Sequence, residues 1–557
     1  MILTSFAEVV SIGAVLPFLG VLMAPEMVFS NKYLQPFFEL LHITDPQRLI
    51  APLTASFIFA ASLSGAMRLL LLKTQTHIGY SIGADLGSEI YRRTLYQPYR
   101  IHVARNSSEI ISGIISKTAS VIGNTVIPIL TIGSSGIILI AILAGIILVN
   151  PPLALKSLAG VACLYGAILL KTKKQLAIHG ERISTESDRV VKALQEGLGG
   201  IRDVLIEGTQ EVYCQTFQKS DAKLRRSQAT VQVIIGSPRF LVETTGICVL
   251  AALAFITSKQ QAGVFGSIPI LGAIALGAQR LLPVLQQIYA GWANVRAGES
   301  SLRDVVELLD QPLPNQLPRQ SSEIISFSNS VKLEQVGFRY SESSPWILRN
   351  VSLEIKKGSR VGLIGITGSG KSTLLDILMG LLAPTEGRIL IDSTKLTEEN
   401  SGSWQEHISH VPQAIFLSDA TIIENIAFGV PRASIDIERI RTSVRQAQME
   451  KSVQEMPRKY ETMVGERGVR LSGGQRQRVG IARALYKGAE FIILDEATSA
   501  LDETTEDTVM RTIKNVSAEG TILIVSHRMS TLRGCDVIYK IVDGAVSRLQ
   551  PDFDFSE

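Results

Sequence analysis

The run Gly365-Ile366-Thr367-Gly368-Ser369-Gly370-Lys371-Ser372-Thr373 is spaced to hold phosphate. It fits G-x-x-x-x-G-K-[ST], in which glycines let backbone N–H groups curl around phosphate oxygens. The helix that opens after it adds a dipole favouring the same negative charge. Lys371 then reaches the β- and γ-oxygens, and the Ser372 hydroxyl takes Mg²⁺. An apolar run precedes the loop and "LLDILMGLL" follows it, so the context is strand, turn and helix.

Five further residues suit the same chemistry. In "EFIILDEATSALD" (490–502) four apolar residues predict a buried strand, and Asp495 emerges at its end, where it can bind Mg²⁺. Glu496 follows at once and can polarise an attacking water as general base. "TILIVSHR" (521–528) predicts a second buried strand that ends at His527, beside the γ-phosphate. Gln413, in "HVPQAIFLSD", is a candidate ligand for Mg²⁺ and water on a loop. Tyr340, in "VGFRY", is an aromatic that could stack on adenine. Taken without the other motifs, either of the last two is more often an ordinary surface or core residue.

These residues need a frame. Beyond residue 329 short β-like runs alternate with helical stretches, which predicts a parallel α/β domain over 329–557. Residues 311–328 contain Pro312, Pro314, Pro318 and a serine-rich run, the composition of a linker. Before about residue 300 the apolar residues fall instead into long runs. The chain of 557 residues is 46% hydrophobic, and its mean hydropathy is +0.24. A net charge of +4 makes no case for nucleic acid. Cys163, Cys214, Cys248 and Cys535 lack metal-like spacing and do not read as a disulfide framework.

A bilayer core takes roughly 20 apolar residues of helix. Six stretches qualify, near 2–23, 50–72, 122–149, 152–172, 238–258 and 266–290, which predicts an all-α transmembrane domain over 1–310. Asn150-Pro151-Pro152 turns the third into the fourth. Segments 73–121 and 171–235 are rich in Lys and Arg, whereas 24–49 and 259–265 carry only Lys32, Arg48 and Lys259. Basic loops stay cytoplasmic. The chain therefore reads as a multi-pass protein of the cell membrane with both termini and the α/β domain in the cytoplasm. It begins almost inside its first span, with no basic flank, which suggests a start that has lost a lead-in helix. Ionisable residues in spans are costly. Arg239 and Glu243 are spaced to neutralise each other at i,i+4. Arg280 either faces a polar cavity or pairs with Glu8 or a carbonyl, and Arg68 lies in the second span.

Taken together, the motifs resemble those of the ABC ATPases, specifically ABC exporters with a fused membrane domain, and the resemblance covers essentially the whole chain. In its terms Leu471-Ser472-Gly473-Gly474-Gln475 is the signature, Ser499-Ala500-Leu501-Asp502 the D-loop, Gln413 the Q-loop residue, His527 the switch histidine and "VGERG" (464–468) the X-loop. The resemblance implies a head-to-tail pair of ATPase domains in which one chain's signature covers ATP held by the other's phosphate loop. Six spans plus one ATPase make a half-transporter. With every motif intact, a second copy of the same chain is the simplest partner, and a degenerate partner is the alternative. Coupling helices are implied near 98–106 and 207–215. "VVSIGAVLPFLGVL" and "ALGAQRLLPVLQQI" resemble flippases of lipid-linked oligosaccharides and related polysaccharides, whose pyrophosphate headgroups Arg68 or Arg280 would suit. A multidrug or peptide exporter is the competing reading, and a non-transport ABC ATPase or ATP-gated channel the reading from another class.

Overall fold

The computed structural model describes residues 2–4, 6, 7, 10, 50–149, 151–258, 263–313, 324–498, 503–516 and 520–549. It divides into two compact units. One comprises Met1–Gln97 and Arg105–Pro312, and the other Pro98–Ala104 and Leu313–Glu557.

Among the described residues the first unit is built of helices. Helix α1 spans Ile50–Leu95. Helix α2, Tyr99–Ala104, falls within the short segment that groups with the second unit. Residues 107–149 run as one helix, α3, interrupted by π-turns at Gly113–Lys117 and Ile122–Val126. Helix α4 is Pro151–Gly199, α5 is Ile201–Ile206, α6 is Gln210–Ser258 and α7 is Gly263–Leu309. Helix α4 has 49 residues. At 1.5 Å per residue it is about 70 Å long, over twice the roughly 30 Å hydrocarbon core. Such helices continue well beyond a bilayer, as the charge of 171–235 requires.

Five of the six predicted spans lie inside these helices, and most of the first lies outside the described residues. Among the described residues, Ile50–Leu95 and Ser107–Ala144 are long and apolar enough to cross a membrane. Large apolar side chains on their outer surfaces are exposed, including Leu69, Leu70, Leu72 and Ile140, as are Leu170 on α4 and Phe240 and Ile247 on α6. Water would penalise so much bare hydrocarbon; lipid does not.

Inside the unit, Tyr165, Leu176, Val231, Ile234, Tyr289 and Ala293 form a buried cluster joining α4, α6 and α7. Gly180 lets α4 and α7 approach closely, since a Cβ there would collide with the Ala297 carbonyl. Lys117 is buried and its Nζ donates to Asp188 and Asp304, each at 2.8 Å, tying α3 to α4 and α7. Ser184 Oγ adds a donor to Asp304 at 2.5 Å. Arg239 Nε donates to Glu243 at 2.8 Å, one turn along α6. Arg68 is exposed on α1. Glu8 and the side chain of Arg280 lie outside what the structure describes.

The second unit is an α/β domain with two sheets. Its strands are β1 Ser330–Phe338, β2 Leu348–Lys356, β3 Arg360–Gly365, β4 Glu386–Ile391, β5 Thr394–Lys395, β6 Ile408–Val411, β7 Phe491–Asp495, β8 Thr521–Val525, β9 Val537–Val542 and β10 Ala545–Arg548. A four-stranded antiparallel sheet has the order β2-β1-β4-β5, and a six-stranded sheet the order β10-β9-β3-β8-β7-β6. In the larger sheet β9, β3, β8, β7 and β6 are parallel, and β10 closes one edge antiparallel. The parallel strands are continuous apolar runs because both faces are covered, as in β8, where all five residues are buried. Helix α8, Lys371–Leu378, buries Leu374, Leu375, Ile377 and Leu378. Helix α9 is Gly473–Lys487, and α10 is Glu503–Val516.

Candidate nucleotide site

Four parallel strands deliver the candidate residues to one edge of the sheet. The phosphate-loop run leaves the C-terminal end of β3, His527 follows the end of β8, Asp495 and Glu496 close β7, and Gln413 follows β6. Adjacent strands are in register there, with Leu363 opposite Val525, Asp495 opposite Val525, and Val411 opposite Leu494. The C-terminal edge of a parallel sheet is where open α/β domains bind ligands.

The loop 365–370 requires its glycines. Gly370 caps α8 with φ of 102°, a left-handed conformation that other residues avoid. Gly365 sits so close to Ile541 that a Cβ would lie 2.7 Å from its carbonyl oxygen. Lys371 Nζ donates to the carbonyls of Gly365 at 2.6 Å and Ile366 at 3.0 Å, so its ammonium lies inside the loop. Ser369 is buried and its Oγ has no hydrogen-bond partner, a polar atom left over in the cradle. Ser372 stands in the first turn of α8 and is exposed, while Thr373 is buried beside it. Thr367 and Gly368 are exposed on the turn.

Glu496 is held from two sides. Gln413 Nε2 donates to its Oε2 at 2.7 Å, and His527 Nε2 lies 3.1 Å from its Oε1. Its backbone N–H donates to the Val525 carbonyl at 3.0 Å, which pins it beside the end of β8. The Glu496 φ is 47°. A non-glycine residue in that region costs on the order of 1–3 kcal/mol, and such strain concentrates where side-chain placement matters.

A cation fits this edge. Burial raises the Asp495 carboxyl above the usual carboxylate range, with nearby Glu496 adding to it. Burial likewise pushes Asp376, on α8, up to about 6, with Asp495 as the second cause. Glu496 thus adds to the shift of Asp495 and Asp495 to that of Asp376, while Lys371 works the other way on Asp495; acids gathered in this way make a locus that a cation suits. The Ser372 hydroxyl and the Gln413 Oε1 are oxygen donors of the type Mg²⁺ takes. Gln413 commits its nitrogen to Glu496 and keeps that oxygen for other use.

The run 471–475 forms a second anion-binding geometry. Ser472 caps α9: its Oγ accepts from Gln475 N at 3.2 Å, and Gln475 Oε1 accepts from Ser472 N at 2.9 Å. That reciprocal pair leaves the N–H groups of Gly473 and Gly474 at the positive end of a 15-residue helix. Leu471 is buried beneath them. The stretch Ser499-Ala500-Leu501-Asp502 lies outside the described residues. Tyr340 is partly exposed, stands edge-on to Phe338 with ring centroids 5.0 Å apart, and its carbonyl accepts from Arg100 of α2 at 2.6 Å.

Sequence reasoning missed Asp376 and, further along, Glu506. Glu506 is an acid on the otherwise apolar stripe of Val509, Met510 and Ile513 along α10, all buried. That misplaced charge was the available signal.

Comparison with known proteins agrees with this geometry. The ABC transporter family matches residues 348–499, and the ABC transporter transmembrane region matches 10–264. The "ATP-dependent lipid A-core flippase" of Chromohalobacter salexigens is 28% identical over 499 residues, covering 90% of this chain and 85% of that one. A protein of the same name from Saccharophagus degradans is 29% identical over 84% of this chain and 78% of its own. A bacterial Atm1-family ABC exporter with ATP bound shares the fold at a TM-score of 0.78 and 23% identity, covering 96% and 94% of the two chains. With an ABC transporter transmembrane region joined to an ATP-hydrolysing domain on one polypeptide, in the type I exporter fold, this chain belongs to the ABC transporters.

Proposed function

We propose that two copies of this chain form an ATP-driven flippase that moves a lipid-linked oligosaccharide or related glycolipid out of the cytoplasmic leaflet. The observation that carries the ATPase mechanism is the Glu496 carboxylate, gripped by Gln413 and His527 at the sheet edge where the phosphate loop opens. Glu496 acts as general base on water, His527 steadies the γ-phosphate, and Tyr340 stacks on adenine. Lys371 and the loop amides hold the phosphates. Ser372, Asp495 and Gln413 hold Mg²⁺, which neutralises charge on the phosphate oxygens when bound.

The second copy is supported by features that one chain leaves without an internal role. The α9 N-terminus with Gly473 and Gly474 is an anion site in addition to the phosphate loop, and it suits the γ-phosphate on a partner. The turn around Gly208 exposes Leu205, Ile206 and Val212, and the ATPase unit exposes Phe416 and Phe428. Each apolar patch suits burial against a partner. ATP binding then favours one arrangement of the pair and hydrolysis releases it.

The glycolipid assignment is supported by the names of the relatives and by the hydrocarbon-facing surface of the membrane helices. Arg68 and Arg280 are the candidate headgroup contacts. Reconstitution in liposomes tests it: lipid-linked oligosaccharides and lipid A-core glycolipids should be flipped in the presence of ATP and should stimulate hydrolysis, both effects being absent in Glu496→Gln. Stimulation by drugs or peptides but by none of these lipids would overturn the substrate assignment and leave the ATPase reading intact.

A further inference from the structure

Glu506 is buried to 4% exposure, with no obvious reason for a charge at that depth. The other inward positions of its helix, Val509, Met510 and Ile513, are hydrocarbon. An ionised carboxylate in such a place is tolerated only when donors surround it. Three do. Its Oε1 accepts from Thr498 Oγ1 at 2.9 Å and from Thr531 Oγ1 at 2.6 Å, and its Oε2 accepts from Arg528 Nη1 at 2.9 Å.

The donors share one property: all flank the Glu496–His527 pair. Thr498 lies two residues beyond Glu496, and Arg528 directly follows His527. Thr531 is three residues further on, and both threonines are buried. The strands β7 and β8 are registered by their own backbone ladder, which ends at Asp495 and Val525. One further backbone bond, from Glu496 N to the Val525 carbonyl, fixes the start of the first loop, and the side chains beyond it are held by other contacts. The Glu496 backbone is in a strained conformation that its surroundings must impose. The Arg528 N–H donates to Ser526 Oγ at 2.9 Å, which tightens the turn carrying His527.

We infer that Glu506 is the positioning residue for the hydrolytic pair: by holding Thr498 on one loop and Arg528 and Thr531 on the other, its carboxylate sets the separation of Glu496 and His527. It touches neither nucleotide nor water itself. The inference rests on the roles proposed above for Glu496 and His527. Nucleotide binding belongs to the phosphate loop and Tyr340, so loss of Glu506 should act on turnover and spare affinity.

The test uses the full-length protein in liposomes and compares Glu506→Gln, Thr531→Val, His527→Ala and the double variant Glu506→Gln/His527→Ala. Glu506→Gln should lower kcat at least about tenfold while KM for MgATP and binding of a fluorescent ATP analogue change by less than about twofold. Thr531→Val removes one donor while keeping its shape, and should give a smaller fall of the same kind even if Glu506→Gln folds poorly. Because Glu506 acts through His527, the double variant should be no slower than the slower single variant. A kcat within about twofold of the parent in both Glu506→Gln and Thr531→Val, or losses that multiply in the double variant, would overturn the positioning role. Normal hydrolysis by Glu496→Gln and His527→Ala would instead remove the underlying site assignment, and the positioning role with it.

Discussion

Gln413 and Glu496 stand 83 positions apart in the chain, and the amide of one donates to the carboxylate of the other at 2.7 Å. The bond joins the loop after β6 to the residue after β7, so the proposed base is oriented by a neighbouring strand. Replacing Glu496 by Gln removes proton acceptance and keeps the shape. Hydrolysis should fall by about 10²–10⁴-fold, with ATP still bound and trapped on the protein. Phosphate release and retained radiolabelled nucleotide measure the two quantities, and near-normal release would remove Glu496 as the base.

Ser472 separates capping from partner contact. Ser472→Ala removes the hydroxyl that accepts from Gln475 N and should cost about 1 kcal/mol of stability. Ser472→Arg places a bulky side chain at the face proposed to meet the partner's ATP. Turnover should stop while ATP binding at Lys371 persists, as read by hydrolysis and by equilibrium binding on the same preparation. Equal loss of both would assign Ser472 to its own chain's fold.

Lys117 neutralises Asp188 and Asp304 from a buried position. Lys117→Ala strands two carboxylates and should destabilise the membrane unit by about 3–5 kcal/mol. Adding Asp188→Asn and Asp304→Asn should recover part of that loss. Thermal unfolding of the purified protein in detergent gives the values, and a neutral Lys117→Ala would show that water reaches the cluster.

Asp376 offers a pH signature. Its carboxyl is raised to about 6 by burial and by Asp495, so the folded state holds that proton more tightly than the unfolded chain. Its contribution to stability is therefore fully present below the ordinary carboxylate range and is lost as pH rises from about 4 through 6. Asp376→Asn should stabilise the nucleotide-free protein by about 1–3 kcal/mol at pH 7.5. The gain should disappear near pH 4.5, which unfolding midpoints across that range will show. A gain independent of pH would mean that the carboxylate is unperturbed.

Much of the ATPase site is local and was therefore legible. A loop that wraps phosphate needs glycines at fixed offsets from its lysine, and Gly370 has the left-handed φ that this spacing implies. Continuous apolar runs predicted two buried strands, one with Asp495 at its end and one ending at His527; β7 does end at Asp495, and β8 stops at Val525, two residues before the histidine. Long apolar runs likewise predicted helices of membrane-spanning length. The implied coupling stretch near 98–106 contains α2, and the one near 207–215 spans the turn between α5 and α6 and the first residues of α6. No local pattern showed that Pro98–Ala104 would group with the ATPase unit.

The sequence by itself determined which segments become helices or strands and which carry phosphate chemistry, because periodicity, backbone geometry and helix capping act over a few residues. Tertiary structure alone decided who meets whom. The order β3-β8-β7-β6 differs from chain order, and only that order lines up Lys371, His527, Glu496 and Gln413 along one edge. Lys117 with its two aspartates, and Glu506 with Arg528 and Thr531, are likewise partnerships between separate elements. Burial makes an unpaired charge costly, and so brings those groups together once the fold has closed around them.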